Sequence, residues 1–269
     1  MHSDNIIFWK TNEKTDLELE IGVYSIWGNR NSQQDFAAIM EKKDELLAVV
    51  CDGMGGLNGG ERASQAAVSS LTEAYRRQET EVDGDFLQEE ALTADEKVAK
   101  LKNEKGDYLR AGTTMAAVVV KKGCFEWLSV GDSRIYLLRN GRLHQISVDH
   151  NYKEQLNEDR YHGKITEEFY QREVHGSKAE ALTSYIGMNG LKRIGRSDEK
   201  ELLQESDQIL ICSDGLYKSL SFEQIEAMMC DNAVDMTVSS RRLIRMALEQ
   251  AIKKQDNTTA ILIQYKKKE

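Results

Sequence analysis

The chain of 269 residues contains no proline and only four cysteines. Proline averages about 5% of protein sequences, but its absence here indicates no particular function. The sequence also contains no low-complexity linker and no internal repeat. The cysteines form no C-x-x-C pair, which argues against a zinc site and a redox motif. Cys51, Cys124 and Cys212 lie in apolar runs, so we expect them to be small core residues in a protein of a reducing compartment.

Long apolar runs are also missing. No stretch approaches the roughly 20 residues that a membrane-spanning helix needs, and the polar start at residues 1–4 shows no secretory signal pattern. We therefore expect a cytoplasmic protein that does not act at a membrane. Positive charge is in deficit as well, because the net charge is −9, and this argues against nucleic acid as a partner.

Hydrophobic residues make up 40% and charged residues 30% of the chain, as in soluble globular proteins. Apolar periodicity predicts blocks of strands and blocks of helices that are segregated along the sequence. This segregation favours an α+β fold with a largely antiparallel sheet core, and we expect a single domain over residues 1–269. Strands are predicted at 17–27, 36–40, 46–50, 114–120, 124–130, 134–139, 208–212 and 260–265, and helices at 59–77, 86–101, 222–229 and 238–252.

Residues 49–56 (VVCDGMGG) join an apolar strand to a glycine-rich turn. The apolar run predicts a strand buried on both faces, with the carboxylate of Asp52 fixed at its end. The glycines permit a sharp turn and close approach to a ligand, and they would leave the Gly53 carbonyl free as an oxygen ligand. Taken alone, a strand followed by Asp-Gly is also the pattern of an ordinary turn.

The same arrangement recurs at Asp214, which follows the predicted strand 208–212. Three further aspartates lie at strand ends or in loops that enter a strand: Asp35, Asp132 and Asp256. Carboxylates that converge raise each other's pKa unless cations neutralise them, and Mg²⁺ or Mn²⁺ prefers such oxygen ligands. Two ions about 3.5–4 Å apart would activate a water for attack on phosphorus. Arg30, in the loop before Asp35, would hold the phosphate oxygens.

Six motifs in order resemble those of a known family: Arg30-x-x-Gln33-Gln34-Asp35, VVCDGMGG, Ala111-Gly112-Thr113-Thr114, Val130-Gly131-Asp132-Ser133-Arg134, CSDGL at 212–216, and Asp256-Asn257-Thr258-Thr259. Over about residues 20–265 the chain resembles the metal-dependent protein phosphatases of type 2C, in particular their bacterial members. The resemblance implies a β-sandwich of two antiparallel sheets flanked by helices. It also implies an enzyme that hydrolyses phosphoserine and phosphothreonine in proteins with a metal-activated water and without a phosphoenzyme.

The resemblance further implies a set of metal ligands for Mn²⁺ or Mg²⁺. Asp52 would bridge two ions, and the Gly53 carbonyl would bind one of them. Asp214 and Asp256 would complete the other ion's site. Asp35 would support the pair directly or through water.

The remaining implied roles concern a third ion, the phosphate and the rim of the cleft. Asp132 matches the position of a third, weaker ion in bacterial members, which Asp214 would share. Arg30 would clamp the phosphate. Apart from the resemblance, we expect Arg134 and Ser133 to brace the Asp132 loop rather than to contact the substrate. The segment of roughly 149–195, polar and expected to hold short helices, corresponds to the family's variable flap.

Two positions depart from the family's usual pattern. Gln33-Gln34 stands where an Asn followed by Glu or Gln is usual, so any metal contact of the neutral Gln34 would be weak or water-mediated. Met54 stands where many eukaryotic members have a histidine proposed as general acid. Since Met54 cannot donate a proton, the leaving group must be protonated from elsewhere, and methionine is frequent here in bacterial-type members.

Several other polar residues are expected to support the site or to lie at the surface. Thr113 and Thr114 would pack the sheet edge and position Asp52 through their hydroxyl groups. The histidines match no metal-ligand spacing, and we expect His150 and His162 at the surface near the flap.

Two alternatives remain open at this point. One is a non-catalytic pseudophosphatase that binds phosphoproteins, which the five retained aspartates disfavour. The other is a phosphatase dedicated to a stress or sporulation switch protein, although such proteins usually carry sensor domains for which 269 residues leave no room. We expect a monomer whose partners are phosphorylated proteins, the targets of a bacterial serine/threonine kinase.

Overall fold

The computed structural model describes residues 8–10, 19–56, 59–231, 235–251 and 254–266. In this part of the chain, the apolar strands form two facing sheets. The first sheet has the order β1-β3-β4-β6-β7-β10, with β5 paired to β4 and β11 paired to β7. Its strands are β1 (Phe8–Lys10), β3 (Asp35–Lys42), β4 (Glu45–Gly55), β5 (Ala111–Thr113), β6 (Met115–Lys121), β7 (Cys124–Val130), β10 (Gly195–Arg196) and β11 (Glu201–Leu202).

The second sheet has the order β2-β13-β12-β8-β9. Its strands are β2 (Leu19–Ile26), β8 (Arg134–Arg139), β9 (Arg142–Gln145), β12 (Gln208–Cys212) and β13 (Thr258–Tyr265). Asn140 and Gly141 connect β8 to β9 with φ values of 53° and 72°, which is the left-handed geometry that two-residue hairpins favour. The pairs between described strands are antiparallel apart from β1 with β3, which is parallel.

Helices cover the outer faces of both sheets. The described helices are α1 (Gly59–Arg77), α2 (Gly84–Ala99), α3 (Tyr152–Tyr161), α4 (Glu167–Val174), α5 (Asp214–Tyr217), α6 (Phe222–Met229) and α7 (Met236–Gln250). Of these, α3 and α4 pack on each other in the segment 149–195. The apolar stripe of α1 and α2 packs on the first sheet, and that of α6 and α7 packs on the second. None of the helices in the described part of the chain is long and apolar enough to cross a bilayer.

A third apolar cluster fills the space between the two sheets. It is built from alternate residues of each strand, such as Ala37 and Ile39 in β3 and Ile209 and Ile211 in β12. Because successive side chains in a strand point to opposite faces, the other residues of these strands reach the helices. Burial on both faces explains why the strands read as continuous apolar runs in the sequence.

The structure confirms the predicted fold of two antiparallel sheets flanked by helices, with small differences. α2 begins two residues earlier than predicted because the side chain of Asp83 caps its N-terminus. The four-residue α5 is too short to give a periodic signal and was not predicted. The prediction that Cys124 is a core residue is wrong, since it is partly exposed at the start of β7. The predicted end of the last helix, Ile252, lies outside the described residues.

Candidate metal centre

The five predicted aspartates lie at one end of the sandwich. Asp35 begins β3 and is paired in register with Asp52 of β4. The other three follow or precede strands at the same end: Asp132 after β7, Asp214 after β12 and Asp256 before β13. Burial raises the pKa of Asp52 well above its usual range. Four neighbouring charges raise it further, those of Asp35, Asp214, Asp132 and Asp256.

The centre continues the face that forms the core between the sheets. Asp35 is two positions from Ala37, and Asp52 is two positions from Val50, so both point towards the opposite sheet. The same alternation carries polar side chains to this end of four other strands: Thr114, Ser133, Ser213 and Thr259. The apolar core therefore ends in a buried polar layer that supports the carboxylates.

Threonine hydroxyls hold the backbone of Asp52. Its amide donates to Thr114 Oγ1 at 2.8 Å, and its carbonyl accepts from Thr113 Oγ1 at 2.9 Å. Thr114 Oγ1 also lies 2.6 Å from Ser133 Oγ, in the loop that carries Asp132. These contacts bear out the predicted positioning role of the two threonines.

Asp35 is buried, and only one of its oxygens has a partner. Oδ2 accepts hydrogen bonds from Ser213 Oγ and Thr259 Oγ1, each at 2.7 Å. Oδ1 is buried without a hydrogen-bond partner. Burial raises the pKa of Asp35 to about 7, although the two hydroxyl donors oppose the shift. These hydrogen bonds also tie β3 of the first sheet to β12 and β13 of the second.

Two glycines let backbone segments approach each other next to the aspartates. A Cβ on Gly53 would lie 2.1 Å from the carbonyl oxygen of Gly60, at the start of α1. A Cβ on Gly215 would lie 2.2 Å from the carbonyl oxygen of Asn257, so this contact places Asp214 beside the segment that carries Asp256. Any side chain at either glycine would separate the elements that bring the carboxylates together.

Arg30 lies at the mouth of the centre and pairs with Asp256, at 2.5 Å between Nη2 and Oδ2. This hydrogen bond raises the pKa of the Arg30 guanidinium. Asn257 fixes the loop that carries Arg30, since its side-chain Nδ2 donates to the carbonyls of Trp27 and Ser32. Asn257 Oδ1 in turn accepts from the backbone amide of Gln34.

Asp132 and Asp214 form the other side of the centre. Burial and the charge of Asp214 raise the pKa of Asp132 to about 6. Asp214 Oδ2 accepts from Lys218 Nζ at 2.5 Å, whereas Asp214 Oδ1 is buried without a partner. Burial opposes the charged form of Lys218, but its contact with Asp214 leaves the pKa of the ammonium raised.

Arg134 braces this side, as the sequence predicts. Its guanidinium donates to both carboxylate oxygens of Asp149, and it stacks 3.5 Å from the ring centre of Tyr217. The Tyr217 hydroxyl donates to the carbonyl of Asp132 at 3.0 Å. Arg134 thus connects the Asp132 loop to the beginning of the segment 149–195.

The segment 149–195 contains α3 and α4 and then returns to the centre. Thr113 and Ile186 exchange two backbone hydrogen bonds, of 3.0 and 2.8 Å. The buried carboxylate of Asp95 in α2 accepts from the amides of Gly187, Asn189 and Gly190 at 2.7, 3.2 and 2.6 Å. Residues 186–190 are therefore fixed to α2 and to Thr113, whose hydroxyl also holds Asp52.

The prediction that His150 lies at the surface is wrong, because only 4% of it is exposed. Its Nδ1 accepts from the Gly131 amide, and its own amide donates to the Gly131 carbonyl. Burial lowers the pKa of His150 to about 4. His162 is exposed, as predicted.

Sequence reasoning missed four residues that hold the site: Ser213, Thr259, Asn257 and Lys218. Ser213 and Thr259 follow the inward alternation of β12 and β13, so extending the apolar pattern by one step would have found them. The contacts of Asn257 depend on loop geometry, and the contact of Lys218 with Asp214 depends on the short helix α5, which was not predicted.

The donor set fits a hard divalent cation by its chemistry. It consists of oxygens only, which Mg²⁺ and Mn²⁺ prefer, and it includes two buried carboxylate oxygens without protein partners, on Asp35 and Asp214. Among the residues that the structure describes, no three acidic, histidine or cysteine side chains already surround one point. Instead, Arg30 and Lys218 each neutralise one carboxylate.

Comparisons with known proteins agree with this geometry. A model of the family described as protein phosphatase 2C matches residues 23–254. The serine/threonine phosphatase stp of Listeria welshimeri is 25% identical over 240 residues, which cover 87% of this chain and 91% of that protein. The serine/threonine protein phosphatase PstP of Mycobacterium tuberculosis is 32% identical over 224 residues, which cover 80% of this chain and 40% of that protein.

Solved structures show the same likeness. The serine/threonine phosphatase of S. agalactiae superposes with a TM-score of 0.79 at 27% identity, covering 93% of this chain and all of that one (100%). The catalytic domain of PstP, solved in complex with 2 manganese ions, gives a TM-score of 0.72 at 25% identity and covers 93% of this chain and 99% of that one. The expected family, fold and enzyme class are confirmed. The chain belongs to the protein phosphatase 2C family, the metal-dependent protein serine/threonine phosphatases.

Proposed function

We propose that Asp35, Asp52, Asp214 and Asp256 hold two divalent cations, Mn²⁺ or Mg²⁺, and that Arg30 binds the phosphate of a phosphoserine or phosphothreonine. Asp132 would lie beside the pair, at the position that corresponds to a third, weaker ion in bacterial members. The observation that carries this proposal is the convergence of the carboxylates from both sheets on one end of the sandwich. When bound, the cations supply the Lewis acid that activates water for attack on phosphorus. The residues of this chain would hold the cations and would bind and orient the substrate.

Asp52 would help to hold both cations, because the charges of the other four aspartates all act on it. The Gly53 carbonyl would complete one ion's site. Asp214 and Asp256 would serve the other ion, with the buried Oδ1 of Asp214 still available. Asp35 would support the pair through its partnerless Oδ1, directly or through water.

Arg30 binds and orients the substrate in this proposal. Its side chain is 59% exposed and its planar guanidinium suits two phosphate oxygens. Arg30 would exchange its contact with Asp256 for the phosphate once Asp256 serves as a metal ligand. Met54 donates no proton, and Gln34 directs its side-chain amide to the Gly55 carbonyl at 3.4 Å.

The wider expectations join this proposal. Residues 1–269 would form a single domain, with a flap at roughly 149–195 that borders the cleft. The substrates would be phosphoproteins in the cytoplasm, modified by a bacterial serine/threonine kinase, and the protein would act as a monomer without nucleic acid or membrane. The net charge of −9 supports the expectation about nucleic acid.

The test is hydrolysis of p-nitrophenyl phosphate and of a phosphothreonine peptide, with Mn²⁺ and with EDTA. We expect activity that depends on Mn²⁺ and is lost in Asp214→Asn. Asp231→Asn is the matched control, because Asp231 is an acidic residue in an exposed ion pair with Arg242. Absence of activity with every divalent cation, with phosphopeptide binding retained, would instead favour a pseudophosphatase.

A further inference from the structure

The side of the metal centre formed by Asp132 and Asp214 already contains a positive charge of the protein's own. We propose that the Lys218 ammonium takes the place of a third divalent cation there, so that the centre holds two ions rather than three. This inference rests on the proposed function of the centre. It concerns the number of ions that this chain binds, which its own residues decide.

The first support is that only one of the two carboxylate oxygens of Asp214 has a partner in the protein. Oδ2 accepts from Lys218 Nζ at 2.5 Å, and Oδ1 is buried without a partner. One oxygen is therefore left for an ion of the main pair, while the other is already neutralised. A third ion shared by Asp132 and Asp214 would have to displace the ammonium.

The second support is the position of Lys218 relative to Asp132. The neighbouring Tyr217 donates its hydroxyl to the Asp132 carbonyl at 3.0 Å, which fixes α5 against the loop of Asp132. The charge of Lys218 acts on Asp132 as well as on Asp214. A cation between the two carboxylates would thus be repelled by a like charge at close range.

The third support is that the ion pair is fixed by the fold. The Lys218 amide donates to the Asp214 carbonyl at 3.0 Å, so one turn of backbone sets the spacing of the two side chains. The Asp214 side chain is only 15% exposed and the Lys218 side chain is 45% exposed, so the carboxylate end of the pair is screened less than a surface charge. Ion pairs four residues apart on a helix surface contribute little to the free energy of folding. The relevance of this pair is that Lys218 neutralises a carboxylate that is a proposed metal ligand.

The experiment counts bound Mn²⁺ by native mass spectrometry and isothermal titration calorimetry. The variants are Lys218→Met, which keeps a long unbranched side chain but removes its charge, and Lys218→Arg, which keeps the charge. A cavity of about 380 Å³ is lined by both Lys218 and Lys254. Lys254→Met is therefore the matched control. We expect two Mn²⁺ in the wild type, Lys218→Arg and Lys254→Met, and a third, weaker Mn²⁺ in Lys218→Met.

A double variant identifies where the extra ion binds. Adding Asp132→Asn to Lys218→Met should return the count from three to two, and thermal unfolding confirms that each variant is folded. Three ions in the wild type, or two in a folded Lys218→Met, would overturn this inference and leave the proposed function intact. A wild type that binds no Mn²⁺ would overturn both.

Discussion

Asp35 and Asp52 are paired in register across β3 and β4, so two carboxylates face each other at the end of an antiparallel strand pair. Both point into the space between the sheets, where the last apolar residues of the core are only two positions away. Neighbouring buried carboxylates raise each other's pKa unless cations neutralise them, and the charge of Asp35 raises the pKa of Asp52. The pair therefore links stability to pH.

The first prediction concerns pH in the absence of metal. Because the folded pKa of Asp35 is raised to about 7 and the unfolded pKa of an aspartate is about 4, the folded state binds more protons between these values. The free energy of unfolding of the metal-free protein should therefore fall as the pH rises from about 4 to about 7. Each unit of difference in pKa corresponds to about 1.4 kcal/mol.

Thermal unfolding in EDTA and in Mn²⁺ measures this dependence. Mn²⁺ should flatten it by holding the carboxylates ionised, and Asp35→Asn should reduce it without metal. A metal-free protein that becomes more stable from pH 5 to pH 7, with no difference between the wild type and Asp35→Asn, would contradict the prediction.

The second prediction concerns His150 and has the opposite sign. Its folded pKa is lowered to about 4 from an unfolded value of about 6.5, so its contribution to stability is complete above about pH 6.5 and is lost as the pH falls towards 4. His150→Gln should be destabilised relative to the wild type at pH 8. This difference should shrink by up to about 3 kcal/mol at acid pH.

Urea unfolding of both proteins across this pH range measures the difference. The exposed His162 provides the control, since His162→Gln should track the wild type throughout. A constant gap between His150→Gln and the wild type would show that His150 does not titrate with unfolding.

The third prediction concerns Asp95, whose buried carboxylate accepts three backbone amides of residues 187–190. Asp95→Asn replaces one acceptor oxygen by a donor, so we expect a loss of about 1–3 kcal/mol in stability. Hydrogen exchange of residues 186–190 should accelerate in this variant. Glu96→Gln, which changes an adjacent exposed carboxylate on the same helix, should leave exchange unchanged; equal exchange in both variants would refute the fixing role of Asp95.

The fourth prediction concerns Arg30. Arg30→Ala should lower kcat/KM for a phosphopeptide by about 10- to 100-fold, since hydrogen bonds to charged groups contribute about 1.5–3 kcal/mol. Arg30→Lys should recover only part of this loss, because an ammonium cannot bind two phosphate oxygens in a planar fork. Steady-state kinetics measures both, and Arg196→Ala, which removes an exposed arginine paired with Asp85, is the control. Unchanged kinetics in Arg30→Ala would remove Arg30 from the proposed substrate site.

The continuous apolar runs of the strands and the periodicity of the helices were enough to predict most elements, because strands buried between the other sheet and the helices are apolar on both faces. The same runs correctly placed Asp214 just after a strand. The prediction that Asp52 ends its strand is wrong, because β4 continues to Gly55 through its pairing with β5. The strand pattern also placed Asp132 between two strands and Asp256 before the last strand, and the motif order then gave each a possible role.

The sequence by itself determined which residues are apolar, where the strands end and which acidic residues follow them. The tertiary structure decided what those residues meet. Only sheet packing brings Ser213 and Thr259 of one sheet to Asp35 of the other, and only the turn of α5 brings Lys218 onto Asp214. The first contacts join residues that are distant in the chain, and the second depends on a single helical turn. Both depend on distances between atoms, which a one-dimensional pattern does not contain.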